Sequence, residues 1–103
     1  MRTADIFFDN ILAGQLVELV YDRDYHFEYD PRYDGPPISQ TMPVRREVYS
    51  FKSFPPFFDG LLPEGFQLEA LIRREKLDRN DLFGQLLMIG ADTVGAVTAR
   101  EHQ

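Results

Sequence analysis

The stretch of sequence that decides the fold is Phe57-Phe58-Asp59-Gly60-Leu61-Leu62-Pro63-Glu64-Gly65-Phe66. It combines large apolar side chains with residues that interrupt helices, namely two glycines and one proline. These properties predict a short helix that ends before Pro63, then a corner, then a second helix that starts close to that proline. The second half of the chain is therefore expected to be helical.

Helix signals continue on both sides of this stretch. Pro55-Pro56 suits a first helical turn, because the amides of that turn need no partner. Further along, Asn80 is a good N-cap and Gly90 is a good residue for the position after a helix. The predicted helices cover residues 55–61, residues 63 or 64 to 75, and residues 80–90.

The first half of the chain shows the alternation and the turn residues of strands. Asp9-Asn10 is a turn dipeptide that could close a hairpin, and Asp22-Arg23-Asp24 is a second turn. Gly14, inside a strand pattern, indicates a bulge or a close backbone approach. The predicted strands cover residues 4–8, 11–20, 25–29, 38–42, 48–51 and 94–99.

Together these elements predict an α+β fold in one domain over residues 1–103. We expect an antiparallel sheet of about four to six strands, with a meander first and one strand returning at the C-terminus. About three helices in the second half should pack against it. The run of aromatic and leucine residues from Phe51 to Leu62 is expected to supply much of the core.

Composition excludes several classes of protein. The chain has 44% apolar residues and no cysteine, so it is neither disordered nor held together by disulfides. Its net charge of −6 argues against direct nucleic-acid binding. Nothing resembles a signal peptide or approaches the roughly 20 apolar residues that span a bilayer. A cytoplasmic protein without membrane contact is expected.

The second predicted helix has two distinct faces. Leu68, Leu71 and Ile72 fall on one stripe, which is the face expected to be buried. Phe66 lies nearly opposite, with Ala70 and Arg73 beside it. If the helix is regular from its start, an aromatic ring and an arginine project to solvent, the composition of interface hot spots. The alternative is that Phe66 lies in the first turn and folds back onto the third helix.

Catalytic and metal sites are not expected. His26 and His102 are the only histidines, and without cysteine they do not make a zinc site. The carboxylate pairs give a weak signal, and Asp78 and Asp81 suit capping at the start of a helix. No nucleophile elbow, phosphate-binding loop or kinase signature occurs in the sequence. We therefore expect no enzymatic activity and no cofactor or metal.

Several motifs resemble the N-terminal subdomain of the HipA family of serine/threonine kinase toxins. They are the opening strands with Gly14, Phe27-x-Tyr29, Pro37-Ile38-Ser39 with Met42-Pro43, Phe57 to Gly65, and Ile89-Gly90-x-Asp92-x-Val94-Gly95-Ala96-Val97. In the single-chain family a kinase core follows this region. A free-standing copy is similar to HipS proteins, the small antitoxins of tripartite HipBST systems. Such a copy is distinguished from an excised piece of a single-chain kinase by its neighbouring reading frames.

The resemblance implies what the chain binds. It implies a HipT-like kinase as the partner to be inhibited, and a HipB-like DNA-binding protein in a ternary complex. A bulky aromatic follows Pro-Glu-Gly in the family and reaches toward the kinase active site, and Phe66 stands at that position. The residues expected at the contact are Leu62, Pro63, Glu64, Gly65, Phe66, Ala70 and Arg73. The alternative role is a scaffold that completes the kinase without blocking catalysis.

Overall fold

The computed structural model describes residues 1–93 and 95–103 of the chain. The strands within these residues are β1 (Arg2–Phe8), β2 (Ile11–Val20), β3 (Asp24–Tyr29), β4 (Tyr49–Phe51) and β5 (Val97–Glu101). The helices are α1 (Pro56–Asp59), α2 (Gly65–Glu75) and α3 (Leu82–Ile89), and a 3-10 helix covers Gly90–Asp92. The strands form one antiparallel sheet in the order β4-β3-β2-β1-β5. The predicted α+β class, the initial meander and the returning last strand are confirmed.

The first hairpin follows from the sequence as predicted. Asp9 and Asn10 both have positive φ, 49° and 68°, which is the conformation of a tight hairpin turn. In the register, Ile6 faces Gly14 and the next residue of β1 faces Leu12, so Ala13 is an extra residue in a bulge. A Cβ at Gly14 would lie 2.3 Å from the Glu28 carbonyl oxygen, so the close backbone approach is confirmed too.

The core lies between one face of the sheet and the helices, and aromatic rings dominate it. Tyr25 of β3 meets Phe54 edge-on at 5.6 Å between ring centroids and stacks on Phe83 of α3 at 6.3 Å. Phe27 contacts Phe58 of α1 at 5.8 Å. Such pairs contribute beyond the apolar area that they bury. The predicted core role of the segment from Phe51 to Leu62 is confirmed, since its six large apolar residues are buried or packed against the core.

The strand predicted over Ile38–Met42 is wrong. The structure has an isolated bridge there, between Ser39 and Met42. The reason is the buried hydroxyl of Tyr29, which donates to the Met42 carbonyl at 2.5 Å and accepts from the Ile38 amide at 3.1 Å. The Tyr29 side chain thus satisfies backbone groups of Ile38 and Met42 that would otherwise bond to a neighbouring strand. The segment therefore does not need to pair in a sheet.

The helix boundaries also differ from the prediction. The first helix is shorter, and α3 is capped by Asp81 instead of Asn80, because the Asp81 carboxylate accepts from the Gly84 amide at 3.1 Å. Gly90 follows the last residue of α3 as predicted, but it is right-handed and continues into the 3-10 helix. A side chain is excluded at Gly90 by close packing, because a Cβ there would lie 2.6 Å from the Ala99 carbonyl oxygen.

The last strand starts later than predicted. In the described part of the chain, β5 begins at Val97. The predicted strand began at Val94, which lies outside the described residues. None of the helices in the described part of the chain is long and apolar enough to cross a bilayer.

Candidate functional site

The corner between α1 and α2 covers residues 60–64. The chain keeps turning after α1, because the Leu61 amide donates to the Phe58 carbonyl at 3.1 Å. Leu62 is 8% exposed and belongs to the core cluster, so it anchors the corner to the body of the protein. Leu62 therefore packs the corner against the core, while the first residues after the corner are exposed to solvent.

Pro63, Glu64 and Gly65 set the direction in which α2 leaves the corner. Glu64 is the N-cap residue of α2 and has extended backbone, φ −129° and ψ 166°, and its exposed side chain makes no capping hydrogen bond. Gly65 has φ +58°, which residues with a Cβ rarely adopt. The described residues leave more than 4 Å of open space where a Gly65 Cβ would be, so the backbone conformation alone favours glycine. The helix starts at Gly65, one residue after the predicted start near Pro63 or Glu64, because Glu64 has extended backbone.

Phe66 is 94% exposed, the largest exposed fraction among the large apolar side chains described. Ala70 and Arg73 are exposed on the same face of α2, whereas Leu71 on the other face is buried. The expectation that this ring projects to solvent is confirmed, and the alternative in which it folds back onto α3 is wrong. Six of the seven predicted contact residues thus lie on the corner and on one helix face, whereas Leu62 is buried in the core cluster and is not available for contact.

A groove of about 580 Å³ adjoins this corner. It runs between α2 and α3, and Met88 in its wall is 47% exposed. Other residues in its wall are Leu61, Pro63, Gln67, Arg74 and Ile89. No sequence pattern indicates this groove, because it depends on how two helices separated by a loop are placed.

An ion pair fastens the outer side of α2 to the loop before α3. Arg79 donates to both carboxylate oxygens of Glu69, at 2.5 and 2.9 Å. The hydrogen bond from Arg79 holds the pKa of the Glu69 carboxyl below its usual value. Both side chains are exposed, so the pair contributes little to the stability of the fold.

A group of two ion pairs between partly buried side chains was not predicted from the sequence. The Arg2 guanidinium bridges two carboxylates, Glu18 at 2.8 Å and Asp81 at 2.8 Å. The buried Tyr25 hydroxyl donates a hydrogen bond to the Glu18 carboxylate at 3.3 Å, and burial raises the pKa of that hydroxyl. Asp81 carried one visible signal, as a residue suited to capping, but nothing in the sequence indicated its ionic partner.

The described residues contain no group of three or more His, Asp or Glu side chains that could hold a metal ion. The corner and the first turn of α2 offer a carboxylate and an aromatic ring, and Arg73 in the last turn of α2 adds a guanidinium on the same helix face; these groups suit contact with another macromolecule.

Comparison with known proteins places the chain in a family. The family model for the HipA N-terminal domain matches residues 4–100. The chain belongs to the HipA N-terminal domain family. The solved structure of the N-terminal domain of HipA toxin superimposes with a TM-score of 0.77 at 27% identity, covering 100% of this chain and 94% of that one.

Two curated relatives of this HipA N-terminal domain protein differ in length. An uncharacterized protein of Haemophilus influenzae is 31% identical over 94 residues, which cover 89% of each chain. The putative kinase Y4mE of Sinorhizobium fredii is 29% identical over 103 residues, which cover 94% of this chain. The chain spans 24% of the length of that kinase. The shared region is therefore the N-terminal domain of HipA and not the kinase catalytic domain.

Proposed function

We propose that the chain is an antitoxin of the HipS type, which binds a HipT-like serine/threonine kinase toxin and inhibits it. Membership of the HipA N-terminal domain family makes it a HipA-related toxin–antitoxin component. The finer assignment to inhibition depends on the corner. The proposed complex also contains a HipB-like protein that supplies the DNA contact, and it acts in the cytoplasm on a kinase that uses ATP.

The single observation that carries the proposal is the exposure of Phe66, at 94% on an ordered helix. Leaving a large aromatic ring in water forgoes about 1.5–3 kcal/mol of burial. Rings of this kind, together with arginine, are enriched at the centres of protein interfaces. Arg73 lies on the same helix face, which gives the surface both components.

The proposed mechanism is occlusion. A phenyl ring lodged between the kinase lobes would keep ATP, Mg²⁺ and the catalytic loop from the in-line geometry that phosphoryl transfer needs. Pro63 restricts the backbone before binding, and this lowers the conformational entropy that is lost on docking. The adjacent groove would receive side chains of the kinase that flank the inserted ring.

Co-expression with the cognate kinase tests this function. Phe66→Ala should abolish or strongly reduce the rescue of growth and should restore kinase activity in a purified mixture. Ile11→Ala is the matched control, because Ile11 is also a large exposed apolar residue but lies at the first hairpin. Equal rescue by the two variants would remove Phe66 from the mechanism.

A second candidate function is that of a scaffold, which completes the kinase and joins it to the DNA-binding partner without blocking catalysis. It is favoured by the Sinorhizobium relative, in which the matching region is part of one longer putative kinase chain. The two functions differ in one measurement. Substrate phosphorylation by the purified kinase falls on adding an inhibitor, and stays unchanged on adding a scaffold that nevertheless co-purifies with it.

A further inference from the structure

A second cavity, of about 300 Å³, lies at the beginning of α1, whereas the Phe66 corner follows the end of that helix. It opens beside β4, one of the two edge strands of the sheet. Its wall is formed by the exposed Thr41 and by six apolar or aromatic residues, Met42, Tyr49, Phe51, Pro55, Pro56 and Phe57. We call this cavity the β4 pocket.

The lining of the β4 pocket favours an apolar occupant. Tyr49 and Phe51 are half-buried at the margin of the core and pack against it. Pro55 and Pro56 have no amide hydrogen, so this stretch of wall offers no backbone donor. The Tyr49 hydroxyl is already engaged with the Pro43 carbonyl. A volume near the lower end of ligand sites suits one large apolar side chain.

The neighbouring strand supplies backbone partners for an extended segment. β4 pairs with β3 on one side, and it ends the sheet on the other. An exposed strand edge is a template for the addition of a further strand. Tyr49 and Phe51 point to the same face, because side chains alternate along a strand. A residue of an added strand that points to that face would therefore enter the pocket.

The charge around the β4 pocket differs from that of the whole chain. Residues 44–52 carry three basic side chains and one acidic side chain, within a chain of net charge −6. The Arg45 guanidinium lies over the Tyr49 ring at 3.6 Å from its centroid, which places positive charge at the pocket wall. Arg46 is exposed, whereas the 91% exposed Lys52 side chain pairs with Asp24 at 3.1 Å, so the positive charge of this rim comes from Arg45 and Arg46. This rim complements an acidic segment.

We propose that the β4 pocket and the adjoining strand edge bind an extended acidic segment of a partner protein, with one large apolar side chain in the pocket. The strand edge supplies main-chain hydrogen bonds, the pocket selects the apolar residue, and Arg45 and Arg46 select its acidic neighbours. This surface is separate from the Phe66 corner, so it would engage a partner whether or not the kinase is inhibited.

A fluorescein-labelled peptide, Asp-Glu-Val-Phe-Val-Asp-Glu, is the probe, and fluorescence anisotropy with the full chain is the measurement. Replacing its Phe by Ala should weaken binding at least about tenfold, because the apolar area buried in the pocket is lost. The charge-reversed peptide Lys-Arg-Val-Phe-Val-Lys-Arg should also bind more weakly. In amide spectra, the largest shifts on titration should fall on residues 49–51.

Protein variants locate the site. Arg46→Glu should weaken binding of the acidic peptide about fivefold, whereas Arg23→Glu, an exposed arginine elsewhere, should not. Pro56→Glu should introduce a carboxylate at the exposed rim and weaken binding further, while circular dichroism reports an intact fold. Phe66→Ala should bind the peptide normally, so the result is independent of the proposed inhibition. Equal binding of the acidic and charge-reversed peptides, or no response to Arg46→Glu and Pro56→Glu, would overturn the proposal.

Discussion

Arg2 donates hydrogen bonds to both carboxylate oxygens of Asp81, at 3.0 and 2.8 Å, although 79 positions of the chain separate the two residues. Asp81 is also the N-cap of α3. The same guanidinium pairs with Glu18, whose side chain is 4% exposed. The Arg2 guanidinium therefore links β1, which contains Arg2, to β2 through Glu18 and to α3 through Asp81.

Removing this cation should destabilise the protein strongly. Arg2→Ala leaves Glu18 buried without its positive partner, and breaking such a pair costs about 3–5 kcal/mol. Arg23→Ala is the matched control, because Arg23 is exposed and its loss should change stability by less than about 0.5 kcal/mol. Urea unfolding at neutral pH measures both variants. Equal midpoints for the two would show that the cluster contributes nothing to folding.

The same pair predicts how stability depends on pH. The hydrogen bond from Arg2 holds the pKa of the Asp81 carboxyl below its usual value of 3.8. The folded-state pKa is thus lower than the unfolded one, so this contribution is present above pH 3.8 and is lost as the pH falls through the folded value. Asp81→Asn keeps a good N-cap but removes the charge. Its urea midpoint should therefore fall less than that of the unmodified chain on acidification, and parallel curves would contradict the assignment.

The contrast between Phe66 and Arg2 shows what sequence patterns can predict here. The exposed face of α2 was predictable, because the positions of Phe66, Ala70 and Leu71 around a helix follow from the helical period alone. The Arg2–Asp81 pair was not, since its partners lie far apart in sequence and meet only after the sheet and helices have packed. No local pattern specifies which of the many carboxylates an arginine will reach.

The strand prediction for the segment from Ile38 to Met42 was wrong for a related reason. Its residues have strand character, but the Tyr29 hydroxyl takes the backbone bonds that a neighbouring strand would make. A side-chain hydrogen bond of this kind depends on tertiary placement. The groove beside the corner and the β4 pocket share that dependence, because each forms only when neighbouring segments of the chain have packed in three dimensions.

Gly65 should tolerate substitution less well than Gly60, although both lie near the corner. Gly65 has φ +58°, where a residue with a Cβ costs about 1–2 kcal/mol. Gly60 has φ −65° and lies in ordinary helical space, with a Cβ position 3.3 Å from the Phe57 carbonyl oxygen. Gly65→Ala should therefore lower the free energy of unfolding by about 1 kcal/mol, and Gly60→Ala by less. Urea unfolding of the two variants decides, and the reverse order would show that α2 does not start as described.

Two phenylalanines near the corner should respond to alanine substitution in opposite ways. Phe58 is fully buried against Phe27, so Phe58→Ala should cost about 3–5 kcal/mol and lower the melting temperature by more than about 10 °C. Phe66 projects into solvent, so Phe66→Ala should change stability by less than about 0.5 kcal/mol. Thermal unfolding followed by circular dichroism measures both variants. A large loss of stability in Phe66→Ala would mean that the ring packs against the protein's own core, and its role as a partner-binding residue would then lose its structural basis.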